Sequence, residues 1–148
     1  MLKKMSALIL SFLLIGGIAH AEEKFSLSGE VSFQHDADIY ICLFTMEDIQ
    51  YLPKNELLPP KCKAIRMNAD LKEAGKVSFR FNSIQKGTYC IYTSQDIIKN
   101  GKVDYENYQI NEPFGTYKEQ GPECGNQLDW NMIKFDLEKD ITGIKITM

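Results

Sequence analysis

The chain is poor in histidine: it has two, and only His35 lies beyond the first 21 residues. That scarcity removes Ser-His-Asp and Cys-His nucleophile arrangements unless His35 itself takes part. His35 stands between Gln34 and Asp36, in a polar stretch with the composition of a turn. The G-x-S-x-G, H-E-x-x-H and glycine-rich phosphate-loop motifs are all missing. So is any close C-x-x-C pair, the spacing on which structural zinc sites are built. No excess of base exists either. The formal net charge is -3, which argues against a nucleic-acid partner. Beyond residue 21 no apolar run approaches the length of a transmembrane helix, and no repeat or low-complexity stretch occurs. Together these absences weigh against an enzyme and leave a small acidic domain.

What is present first is an address. Lys3 and Lys4 precede an apolar stretch, Ala7 to Ile15, broken only by Ser11. Gly16 and Gly17 follow, then Ala19-His20-Ala21. This is the layout of a cleavable secretory signal over residues 1–21, with an uncleaved N-terminal anchor as the alternative. The expected product is a periplasmic or secreted domain, residues 22–148. It loses Lys3 and Lys4 but no acid, so its charge moves from -3 to -5. All four cysteines, Cys42, Cys62, Cys90 and Cys124, fall within it. An even count in an exported chain predicts two disulfides, with three pairings open.

Period-2 patterning dominates the rest. Phe25, Leu27, Val31 and Phe33 alternate with polar residues around Gly29, a position that suits a bulge or a close contact. Residues 39–44 and 89–92 are apolar on both faces, as central strands are. Further alternation occurs at Ile65/Met67/Ala69, Val77/Phe79/Phe81, Ile133/Phe135/Leu137 and Ile144/Ile146/Met148. This predicts an all-β, Greek-key β-sandwich of about seven strands. Two segments interrupt it. Met46 to Lys61 opens with a possible helical turn and contains Pro53, Pro59 and Pro60. Ser94 to Trp130 exceeds the ordinary length of a connection and is expected to be an ordered, functional loop.

Within that loop, Gln95-Asp96-Ile97-Ile98-Lys99-Asn100-Gly101-Lys102-Val103-Asp104 follows the Gly87-Thr88-Tyr89 strand. Glu112-Pro113-Phe114-Gly115 and Ile133-Lys134-Phe135 come after it. In this order the chain resembles the exported bacterial proteins of domain-of-unknown-function family 2141. The resemblance implies an immunoglobulin-like or transthyretin-like sandwich and no particular activity. It also implies a cation loop, since the family segment commonly reads His-Asp-x-Asn-x-Asn-Gly-x-x-Asp. Here Asp96, Asn100 and Asp104 would offer side-chain oxygens and Lys102 a backbone carbonyl, with calcium as the ion. Ile98 replaces an oxygen-bearing residue, Gln95 stands where the histidine is usual, and Lys99 adds a repelling charge. The competing reading is a plain Asn-Gly turn flanked by solvated acids.

Tyr105, Tyr108, Phe114, Tyr117 and Trp130 cluster in or beside the same loop. They make either a contact surface for an envelope protein, peptide or glycan, or a satellite core that packs the loop down. The functional expectation is a binding module using residues 94–130. The alternatives are a calcium-stabilised envelope domain, and a small hydrolase or hydrolase inhibitor.

Overall fold

The computed structural model describes residues 22–51, 61–106 and 109–148. The expected signal segment, the three prolines of the first interruption and Tyr108 lie outside these. Among the described residues no helix is long and apolar enough to cross a membrane.

In chain order the elements are β1 (Lys24–Ser32), β2 (Asp38–Phe44), α1 (Met46–Tyr51), β3 (Cys62–Ile65), α2 (Ala69–Ala74), β4 (Lys76–Gln85) and β5 (Gly87–Asp96). There follow β6 (Tyr105–Glu106), β7 (Gln109–Ile110), β8 (Phe114–Thr116), a 3-10 turn (Pro122–Cys124), α3 (Trp130–Ile133), β9 (Phe135–Leu137) and β10 (Ile141–Thr147). One sheet has the order β10-β1-β4, with β1 parallel to β10 and antiparallel to β4. The other runs β3-β2-β5 and then divides. Along one edge β5 pairs with β9 through Gly87–Tyr89 and with β8 through Tyr92–Ser94. β6 and β7 form a separate small hairpin. The chain is therefore the all-β sandwich that its alternation predicts.

Leu27, Val31, Ile41, Phe79, Ile91 and Ile144 fill the space between the two sheets. A second core covers the outer face of the five-stranded sheet. There Tyr40, Cys42 and Phe44 of β2 meet Cys90 and Tyr92 of β5, with Ile110 and Ile133 laid over them. Phe44 and Tyr92 stack at 5.7 Å, and Phe114 continues the stack at 6.0 Å. Such ring pairs contribute about 0.5–1.5 kcal/mol each beyond the area they bury. This second core explains the two-faced apolarity of β2 and β5: the segment after Ser94 folds back over that face.

Local signals account for the helices. Asp48 accepts from the Thr45 amide and hydroxyl at 2.7 and 2.9 Å, which caps α1. The alternation at Ile65/Met67/Ala69 does not continue a strand. β3 stops at Ile65 because Asn68 accepts from the Leu71 N–H at 2.9 Å and starts α2 instead.

The cysteines form one disulfide, not two. Cys42 and Cys62 face each other across β2 and β3 and are bonded. Cys90 is wholly buried in the second core, and burial pushes its thiol up to about 12. Cys124 lies at the end of the 3-10 turn, its thiol donating to Met132 Sδ at 3.5 Å. Cys90 is thus taken up by core packing, while Cys124 stays partly open to solvent. An aromatic-disulfide reagent is expected to titrate Cys124 in the folded protein and Cys90 only after denaturation. Two equally fast thiols, or none after unfolding, would contradict this assignment.

Candidate metal centre

The site begins with the register of β5. Asp96 closes that strand opposite Asp38 of β2. On the other flank Ser94 pairs with Phe114, and the Gln95 N–H reaches the Pro113 carbonyl at 3.0 Å. Carrying this antiparallel ladder one step outward brings Glu112 beside Asp96. The intervening chain turns back on the carboxylates. Asp96 accepts from the Asn100 N–H at 3.0 Å and the Gly101 N–H at 2.8 Å. Gly101 has φ of 77°, a backbone that glycine takes without steric cost.

Asp104 is fixed from two sides. The Asn100 amide donates to both of its carboxylate oxygens at 2.8 Å, and the Asn111 N–H bonds its carbonyl at 3.1 Å. Glu112 accepts from the Ile98 and Asp104 amides, each at 3.4 Å. Oxygens of Asp96, Asp104 and Glu112 consequently lie within 4.8 Å of one another. Asp96 is 3% exposed and Glu112 is 5% exposed, with Asp104 half-buried. No lysine or arginine among the described residues forms an ion pair with any of the three. Burial raises the Glu112 carboxyl above its usual range, the two amide bonds oppose the rise, and Asp104 and Asp96 add to it. Tyr40, whose hydroxyl is 3.5 Å from Asp96, is raised by burial first and by the Asp96 charge second. A cleft of about 420 Å³, lined by Asp36, Asp38, Tyr40, Met67, Asp96 and Lys99 among others, opens beside Asp96.

Two of the four expected ligands, Asp96 and Asp104, are brought together. Asn100 acts differently: its amide nitrogen holds Asp104, while its oxygen accepts from the Lys102 N–H at 3.1 Å. It orients a carboxylate. Lys102 enters through that N–H. Glu112 was not among the expected ligands. It supplies an oxygen-bearing group where Ile98 has none, from fourteen residues further on. Its only sequence signal was alternation with Phe114, hidden by Pro113 between them. Gln95, at the histidine position of the family pattern, is fully buried. Its amide donates to the His35 carbonyl at 2.6 Å and accepts from the His35 N–H at 3.2 Å, which clamps the turn before β2.

Three of the five aromatic candidates, Phe114, Tyr117 and Trp130, are turned inward. Phe114 and Trp130 pack on the second core. Tyr117 packs on the first, edge-on to Phe135 at 5.2 Å. All three are half-buried, and Tyr105 belongs to the hairpin strand β6. Phe114, Tyr117 and Trp130 are the packing of the long segment; they do not form an open aromatic patch.

Residues 31–145 match the family described as an uncharacterised protein conserved in bacteria, DUF2141. No curated protein and no solved structure matches the chain.

Proposed function

The chain belongs to the DUF2141 family of bacterial proteins, and from that premise we propose that it is an exported β-sandwich binding module stapled by a divalent cation. Asp96, Asp104 and Glu112 hold the ion, calcium before others, and it fixes the 94–130 segment as the contact element. One observation carries this reading: three carboxylates converge, two of them almost fully buried, with no cationic side chain among the described residues paired to them. Taking an ionised carboxylate out of water costs several kcal/mol unless a partner offsets it. Three hard oxygen donors are the chemistry that a divalent ion such as calcium accepts, and backbone carbonyls and water can complete its shell. Export is supported by the composition of residues 1–21 and accords with the Cys42–Cys62 disulfide.

The test is thermal unfolding of the oxidised protein in calcium and in chelator. An ion at about a hundredfold its dissociation constant adds about 2.7 kcal/mol of stability. The wild type is expected to melt several degrees higher in calcium, and Asp96→Asn to lose that rise. Equal melting temperatures for the wild type in both conditions would refute the reading.

A further inference from the structure

The acidic cluster does not end at its carboxylates. The six residues that wrap it, Ile97 to Lys102, are all exposed. Two adjacent isoleucines lead this tip, Ile97 at 43% and Ile98 at 55% exposure. They are half of the exposed large apolar side chains among the described residues, the others being Met46 and Met132. Lys99 and Lys102 stand beside them, and among the described residues neither forms an ion pair. The backbone of the tip is tied inward. The Ile98 N–H goes to Glu112, and the Asn100 and Gly101 N–H groups go to Asp96. That anchoring leaves the isoleucine and lysine side chains outside on a braced loop.

We infer that Ile97, Ile98, Lys99 and Lys102 form a tip that docks on an anionic phospholipid surface when the cation is bound. The inference rests on the cation reading above and goes beyond it. Two neighbouring apolar side chains flanked by lysines fit the boundary of a bilayer, where apolar groups enter the headgroup layer and ammonium groups meet phosphates. The chain as a whole is acidic, so attraction to such a surface has to be local. Without an ion, Asp96, Asp104, Glu112 and the adjoining Asp38 outweigh Lys99 and Lys102 by two charges, Asp36 being paired with Lys72. A bound divalent ion cancels that excess and leaves the two lysines to meet lipid phosphates. Docking is therefore coupled to occupancy through the local charge.

The experiment is co-sedimentation of residues 22–148, the proposed exported form that holds every described element, with phosphatidylcholine vesicles, with and without phosphatidylglycerol, in calcium and in chelator. The same samples are melted in both conditions. The wild type is expected to pellet only with phosphatidylglycerol and calcium. Ile97→Ser/Ile98→Ser should leave the calcium-dependent melting shift intact and reduce the bound fraction about tenfold. Lys99→Gln/Lys102→Gln should weaken binding about 25-fold, about fivefold per lysine. If the double isoleucine variant pellets like the wild type, the tip is not the docking element and the inference fails. A wild type that shows the melting shift yet stays in the supernatant also overturns it, and leaves a protein surface as the occupant. Pelleting that ignores chelator but is lost in the isoleucine variant supports the tip and overturns only the cation premise.

Discussion

Replacing Glu112 by glutamine is expected to stabilise the calcium-free protein at neutral pH and to abolish most of its response to calcium. Most removals of a buried hydrogen-bonding side chain destabilise, so the sign is diagnostic. Glu112 is 5% exposed, and its carboxyl is held above the usual glutamate range chiefly by burial. The folded chain therefore retains a proton that the unfolded chain has released. Stability falls as pH rises through the window between the ordinary glutamate value and the raised one. Above it the folded protein carries the full cost of the ionised group. Glutamine keeps an oxygen for the Ile98 or Asp104 amide and removes the charge, so the variant should melt above wild type in chelator at neutral pH. In the wild type a bound cation would reverse the same cost, so the calcium-dependent rise should be small in acid and grow toward neutrality. Calorimetry of wild type and Glu112→Gln across that range, in calcium and in chelator, reads both effects. A variant that melts below wild type in chelator at neutral pH, and still responds to calcium, would remove Glu112 from the site.

Gly29→Val should cost about 3 kcal/mol, a large share of the stability of a domain this size. β1 runs between β4 and β10, and its parallel pairing with β10 slips between Leu27 and Gly29. At that slip the two backbones approach so closely that a β-carbon on residue 29 would strike the Ile144 carbonyl. The obstacle is main chain, which cannot rotate aside as a side chain would. Either β10 moves away and gives up its ladder, or Ile144 and Ile146 leave the central core. Urea unfolding should show a lower midpoint with little change in slope. A loss under 1 kcal/mol would mean that the sheet yields locally and the contact is not a constraint.

The sequence announced the sandwich because period-2 alternation marks a strand that is wet on one side, and β1, β4 and β10 are such strands. It also signalled that residues 39–44 and 89–92 were covered twice. It did not say by what. The cover comes from Ile110, Leu128, Trp130 and Ile133, which are distant in the chain and carry no period of their own. For the same reason Phe114 and Trp130 read equally well as a contact surface and as packing. The Asp96–Asp104 loop was visible as a motif because its residues are adjacent. Glu112 was not, because it reaches the site through a strand ladder, and pairing partners in a sheet are not written locally. The alternation at Ile65, Met67 and Ala69 misled because a single capping residue, Asn68, outweighs it. Cysteine parity failed because Cys90 is sealed in the second core while Cys124 sits on the partly exposed 3-10 turn.

The position of β1 bears on how the chain is made. Its partner β10 is the last of the described strands to leave the ribosome, and Leu27 must find Ile141 across almost the whole domain. The three-stranded sheet cannot close during synthesis while the segment carrying β10 is still in the exit tunnel. Contacts between such remote segments also form slowly. A nascent chain with this strand order stays open until late. Were the chain threaded unfolded through a membrane channel, as the proposed export requires, the topology itself would delay folding on the wrong side.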